Sequence, residues 1–248
     1  MFLSVVIPAF NEEKRLPETL KKVRDYLTAS DYEWEVLVVN DGSKDGTATV
    51  VSDLIKEWSA RPSKPEGRSG GFHIVDNKEN KGKGGVVKQG MLEAKGEWRL
   101  FMDADGSTDV SEIEKLWAYK ENFEIIIGSR YLNKDSIKIK QPLMRQIVSR
   151  MGNWLIRIML GINLEDTQCG FKLFSAKVAE EIFPKQTIMR WGFDMEILAI
   201  AKHRGYQIKE VAVDWYDAEG SQVKKFAALK TLKELITIKW NLMRKRYI

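Results

Sequence analysis

The sequence predicts an α/β fold, a mostly parallel sheet flanked by helices. Short β-branched runs alternate with helix-like stretches through the first half, the pattern of βαβ units. Each run ends in turn-forming residues or in Pro or Gly. Three of those ends carry acceptor-rich side chains, at the place where open α/β sheets bind ligands.

The strands are "LSVVI" (3–7), "EVLVV" (35–39), "FHIV" (72–75), "WRLFM" (98–102) and "EIIIG" (124–128). Helix-like periodicity falls between them at 12–29, 44–59 and 83–95. "RPSKPEGRSGG" (61–71) is a solvated insertion, because the alternation resumes after it. Beyond residue 128 the texture changes. Helices are expected over 142–161 and 193–204, and strands over "CGFKLFS" (169–175) and "QIKEVAVDW" (207–215). A basic amphipathic helix spans 223–246.

The 248 residues can bury a sizeable core. A net charge of +5 suits an anionic partner, whether nucleotide, phospholipid surface or nucleic acid. The single cysteine, Cys169, excludes an internal disulfide framework and fits a reducing compartment. "MFLSVVIPAFNEE" lacks a basic n-region, so no signal peptide is expected. No window reaches about 18 uncharged apolar residues, so no membrane span is expected.

The chemistry concentrates in "FMDADGSTDV" (101–110). Asp103 and Asp105, two apart at a strand end, can face one crevice. Hard carboxylate oxygens suit Mg²⁺ or Mn²⁺ together with substrate phosphates. A calcium loop needs glycine at its sixth position and glutamate at its twelfth. Here Gly106 is fourth, and the twelfth, Glu114, falls in a helical stretch. Asp41 in "VVNDGSKDGT" and Glu12 in "IPAFNEE" end two further strands. Asp41 can accept hydrogen bonds from a base or ribose. For each motif the plainer reading is a good turn, since Asp, Asn and Gly make turns and Ser43 or Asp45 can cap a helix. Three aligned ends favour a nucleotide site.

These residues resemble family 2 glycosyltransferases, which have the GT-A fold. "VVIPAFNEE", "VVNDGSKDGT" and "FMDADG" look like the family's three signatures, and "NKGKGGVVKQGMLEAKGE" (80–97) like its glycine-rich segment. "GSRY", "MRQIVSRMGNWL" and "DTQCGFKLF" resemble the branch that makes dolichyl-phosphate sugars, and "RWGFDMEIL" with "EGS" its glucosyl members.

The resemblance implies one GT-A domain over 1–248, with a nucleotide-sugar half (1–130), an acceptor half (131–222) and a basic amphipathic helix (223–248). It implies that Pro8, Phe10, Glu12, Val39 and Asp41 line the base pocket. It implies that Asp103 and Ala104 contact the nucleotide, that Asp105 holds Mg²⁺ or Mn²⁺ with Asp103 beside it, and that Arg130, Arg145 and Ser149 hold the acceptor phosphate. The donor implied is UDP-glucose, with GDP-mannose as the alternative. The acceptor implied is a dolichyl or polyprenyl phosphate at the cytoplasmic face of a membrane, with no nucleic acid expected as a partner. Two positions depart from the family's patterns: Ser107 stands where the mannosyl members usually have a metal-holding Gln, and Gln222 where a lysine often follows the "EGS"-type serine. Ser107 is the expected third ligand.

Physical chemistry supports the acceptor set. Arg145 and Ser149, four apart on a helix, share a face, and Arg binds phosphate bidentately. A solvated helix arginine is the plainer reading. The helix over 142–161 either packs on the core or lies at a membrane interface with Trp154 and its arginines at headgroup level. The same choice, or a dimer contact, faces the last helix, where Leu229, Leu232, Ile236, Trp240 and Met243 recur at helical spacing. His73 and Cys169 receive no role.

A phosphate acceptor needs no general base, because it is already ionised at neutral pH. Asp166, a site residue of open role, either orients Arg130 or the sugar, or serves as the base for a glycan hydroxyl. Two other classes lack a feature. A nucleotidyltransferase needs a glycine-rich start, absent from residues 3–15. A DxD phosphohydrolase needs Thr or Val at 107, which is Ser.

Overall fold

The structure is a computed structural model. It describes residues 1–60, 70–133, 143–216 and 227–247, without the side chains of 143–150 and 227–229. The described residues form a seven-stranded sheet in the order β3-β2-β1-β4-β6-β5-β7. Its strands are β1 (Leu3–Ala9), β2 (Trp34–Asn40), β3 (Gly70–Asp76), β4 (Trp98–Met102), β5 (Ile125–Ser129), β6 (Phe171–Ser175) and β7 (Ile208–Ala212). β1 to β4 pair in parallel, as does β5 with β7. β6 runs antiparallel between β4 and β5.

The burial of β1, β2 and β5 along their whole length explains their continuous apolar runs. Both faces of a covered parallel sheet are dry. β3 is an edge strand and is half exposed, with His73 facing solvent. One apolar cluster lies on each face. Val6, Phe101 and Ile127 point into one, and Val5, Leu100 and Ile126 into the other, as a period of two requires.

The helices are α1 (Leu16–Ala29), α2 (Thr47–Ala60), α3 (Lys83–Glu93), α4 (Ile113–Trp117), α5 (Leu143–Leu160), α6 (Ala176–Ile182), α7 (Phe193–His203) and α8 (Ala227–Met243). α4 and α6 are too short to show a period in the sequence. α1 starts four residues later than the periodicity suggests, because "NEEK" forms the turn after β1. Asn11 takes φ +56° there. The 61–69 part of the expected insertion lies outside the described residues, and Gly70 and Gly71 belong to β3.

α5 and α8 each carry two apolar faces, one inward and one outward. Each buries one apolar face, through Ile156 and Leu160 on α5 and Leu235 and Ile238 on α8. The stripe read at helical spacing on α8 is the other face. Leu232, Ile236, Trp240 and Met243 are exposed, as are Met151, Trp154 and Ile158 on α5. Among the described residues no helix is long and apolar enough to cross a membrane.

Candidate active site

β1, β2 and β4 end together, and the expected residues follow those ends. Pro8 pairs in register with Val39. Phe10 stands exposed at 36%, the one apolar ring of this set open to a base. Val39 is fully buried in the core, so it reaches a ligand only through its main chain. Ala104 is also buried, and its carbonyl accepts from Thr19 Oγ1 at 2.9 Å.

Glu12 accepts from Arg15 Nε at 2.7 Å and Nη2 at 2.5 Å. Burial pushes the Glu12 carboxyl up from its ordinary range, and Arg15 opposes that. Arg15 thereby brings a cation close to Asp103 and Asp105.

Asp41 builds a loop. It is buried, and its carboxylate accepts from Asn80 Nδ2 at 2.9 Å, Lys81 N at 2.6 Å and Gly82 N at 3.1 Å. The glycine-rich segment is folded by this carboxylate, which serves the start of α3 as a distant cap. Gly85 N donates to Met189 O at 3.1 Å. The amides of Lys81, Gly82 and Gly85 are thus used within the chain. Gly82 takes φ +84°, a conformation that favours glycine.

Asp103 and Asp105 have different surroundings. Asp103 N donates to Gly170 O at 3.0 Å. Its carboxylate lies against Gly170, where a Cβ would stand 2.0 Å from Oδ2. Lys83 Nζ stands 2.7 Å from Asp103 Oδ1, an ion pair without hydrogen-bond alignment. Burial raises the Asp103 carboxyl, and Lys83 opposes it. Burial also works against the Lys83 charge, but Asp103, Asp194 and Asp105 outweigh it and hold the ammonium protonated. Asp105 is half-buried and accepts from Ser107 N at 3.0 Å. Ser107 O in turn accepts from Tyr216 N at 2.8 Å. Gly106 takes φ +68°, and Asp109 caps the next turn through Ser111 N.

The residues present fit a divalent cation that shares its shell with a ligand. Asp105 is accessible, and Asp103 Oδ1 keeps hydrogen-bonding capacity. Among the described residues no group of three His, Cys, Asp or Glu side chains could hold a metal unaided. Mg²⁺ binds in this way, through one or two carboxylates plus phosphates.

Arg130, at the end of β5, is held by Asp166. Nε donates to Oδ2 at 2.6 Å, Nη2 to Oδ1 at 2.8 Å, and the Arg130 amide to Oδ2 at 3.1 Å. Asp166 is 1% exposed. Burial pushes its carboxyl up, but Arg130 outweighs that and holds it below its ordinary value. Glu210 on β7 accepts from the Glu165 and Asp166 amides. Arg145 and Ser149 lie on α5, with side chains outside the described residues. The residues of "EGS" and Gln222 also lie outside them.

Cys169 lies between these two groups of residues. It is buried, its thiol is pushed up to about 12 by burial, and it lies within electrostatic reach of Asp166, Arg130, Lys172 and Asp103. Two residues at this junction, Lys83 and Lys172, were not singled out from sequence. Lys83 sits between glycines in "GKGG", a basic residue in a segment otherwise made for close approach. Lys172 is fully buried and donates to Asp194 Oδ1 and Cys169 O, both at 2.5 Å. Its only sequence signal is a lysine inside an apolar strand.

Paired carboxylates at one strand end, a half-buried lysine paired with one of them, and an arginine at the end of β5 define a GT-A-type α/β nucleotide-dependent transferase. Residues 4–183 match the model of glycosyl transferase family 2, and the chain belongs to that family. It is 37% identical to a dolichyl-phosphate beta-glucosyltransferase of Trichomonas vaginalis, over 96% of this chain and 73% of that protein. It is 34% identical to the dolichyl-phosphate beta-glucosyltransferase of Homo sapiens, over 96% and 74%. In fold it is similar to glucosyl-3-phosphoglycerate synthase from Mycobacterium tuberculosis in complex with Mn²⁺, UDP-glucose and phosphoglyceric acid. The TM-score is 0.61 at 17% identity, over 96% of this chain and 80% of that one.

Proposed function

We propose that this protein transfers glucose from UDP-glucose to a dolichyl or polyprenyl phosphate with inversion, giving a β-linked lipid-phosphate sugar. The names of its relatives support the lipid phosphate and the sugar. The observation that carries the acceptor class is the state of Asp166. Asp166, the candidate base for a hydroxyl acceptor, is buried, bound twice by the Arg130 side chain, and held below its ordinary pKa. A carboxylate in that state is a poor base. The acceptor must then arrive ionised. A phosphate monoester does so, with a second pKa of about 6.

Arg130 uses two of its five N–H donors on the Asp166 side chain, which leaves donors for a phosphate. Arg145 and Ser149 complete that cradle. The phosphate oxygen attacks the anomeric carbon, the bond to the nucleoside diphosphate breaks, and a single displacement inverts the centre. Phe10, Pro8, Val39 and Asp41 border the base, with Glu12 fixed by Arg15, and Ala104 with Asp103 borders the ribose and phosphates. Asp105 and Asp103, with Ser107 alongside, would hold Mg²⁺ or Mn²⁺, which would offset charge on the departing diphosphate. The domain divides accordingly: 1–130 for the donor, 131–222 for the acceptor.

The outward faces of α5 and α8 suit a peripheral seat on a membrane at its cytoplasmic face, where the lipid acceptor resides. Exposed Trp154, Ile236 and Trp240 are flanked by exposed Lys230, Lys233, Lys239 and Arg244, the composition of an interfacial helix. Incubation with Mg²⁺, polyprenyl phosphate and a panel of nucleotide sugars tests the whole reading. A β-glucosyl phospholipid from UDP-glucose is expected. Mannosyl lipid from GDP-mannose would reassign the donor, and transfer only to glycan hydroxyls would overturn the acceptor.

A further inference from the structure

The segment 186–192, "QTIMRWG", is built with unusual care for a stretch between a short 3₁₀ turn and α7. Glu196, fully buried on α7, accepts from Thr187 N at 2.9 Å, Thr187 Oγ1 at 2.6 Å and Ile188 N at 2.7 Å. Gln186, also buried, donates to Gly84 O at 2.8 Å and Ile188 O at 2.9 Å. The segment lies directly on the start of α3. A Cβ on Gly84 would stand 2.6 Å from Phe193 Cβ and 2.7 Å from Ile188 O, so only glycine allows this approach. Gly192 N, next to Trp191, donates at 2.7 Å to Glu234 Oε2 of α8.

All these ties fix one side chain that remains open. Trp191 is 41% exposed. Its ring lies 5.2 Å from Lys83 Nζ, the ammonium paired with Asp103. A large indole held beside the paired aspartates, with much of its surface in water, is preorganised for a ligand with an apolar face. The group nearest the diphosphate in a sugar nucleotide is its hexose. A glucopyranose presents axial C–H groups on both faces and keeps its hydroxyls equatorial, so it can lie flat on an indole. An axial hydroxyl on the stacked face breaks that contact.

We propose that Trp191 is a specificity-determining residue that stacks on the hexose of the donor, and that Glu234 is the positioning residue that sets its orientation. This rests on the nucleotide-sugar reading above, and names which part of the site recognises the sugar.

The test compares Trp191→Phe, Trp191→Ala, Glu234→Ala and Glu234→Gln with the unaltered protein, using UDP-glucose, UDP-galactose and UDP alone. Trp191→Ala should raise the KM for UDP-glucose about three- to tenfold, narrow the preference over UDP-galactose, and leave UDP affinity by calorimetry unchanged. Trp191→Phe should fall between. Glu234→Ala should reproduce part of the effect, and Glu234→Gln, whose amide oxygen can still accept from Gly192 N, should restore it. Equal weakening of UDP and UDP-glucose, or an unchanged preference in Trp191→Ala, would overturn the inference. If the unaltered protein transfers nothing from any nucleotide sugar, the functional reading itself fails. Normal glucosyl transfer with an indifferent Trp191 sinks only this inference.

Discussion

Arg130 and Asp166 meet side-on, through Nε–Oδ2 at 2.6 Å and Nη2–Oδ1 at 2.8 Å. This is the fork geometry of a charge-assisted pair, and it joins the end of β5 to the chain just before β6. Asp166→Asn should raise the KM for polyprenyl phosphate more than it lowers kcat, because it loosens Arg130 and removes no base. It should also cost about 3 kcal/mol at neutral pH, the scale for breaking a buried pair. The folded-state pKa of Asp166 is lowered, so its stabilisation is fully present above its unfolded value and is lost as pH falls through the lowered one. Urea unfolding at pH 7 and pH 3 should therefore show the gap between variant and parent shrinking in acid.

Asp105→Asn should abolish metal-dependent transfer with little change in melting temperature. The amide oxygen can still accept from Ser107 N, which Asp105 binds at 3.0 Å, so the turn is kept while the charge is lost. Transfer assays over a Mg²⁺ titration check this. Full activity in the variant would remove Asp105 from the metal site.

Gly170→Ala should strike the site harder than the fold. The added Cβ would stand 2.0 Å from Asp103 Oδ2, so the carboxylate must swing away and break its pair with Lys83. The expected outcome is loss of donor binding by calorimetry in a protein that still unfolds cooperatively.

Lys172→Met should destabilise by about 3–5 kcal/mol, since it leaves Asp194 buried without its cation. Lys172→Met combined with Asp194→Leu should recover much of that loss. Denaturant midpoints of the single and double variants measure it.

Ile236→Glu with Trp240→Glu should abolish sedimentation with vesicles containing anionic lipid. Both positions are more than half exposed, so melting temperature and UDP binding should not change. Retained vesicle binding would move the membrane contact elsewhere.

The sheet was legible because β1, β2 and β5 are dry on both faces and so read as unbroken apolar runs. The strand ends were legible because turn residues follow them directly. Partnerships across the chain were not. Nothing local in "GKGG" says that Lys83 meets Asp103, since the two come from different elements. Asp41 reads as a ligand acceptor from its place at a strand end, yet its oxygens already serve residues 80–82. On α8 the period was clear and its direction was not. With two apolar faces, spacing alone gives no sign of which one the core takes.

β6 has a consequence for how the protein is made. β4 carries the paired aspartates and is bordered on one side by β1. Its other neighbour arrives only when Phe171–Ser175 inserts antiparallel between β4 and β5. Closing so long a loop is slow relative to the pairing of nearby strands. The same insertion delivers Gly170 under Asp103 and Asp166 beside Arg130. An emerging chain that has folded only its first strands therefore lacks both the seat of the DxD and the anchor of the arginine. Both arrangements form in one closing step, so a half-folded chain has neither.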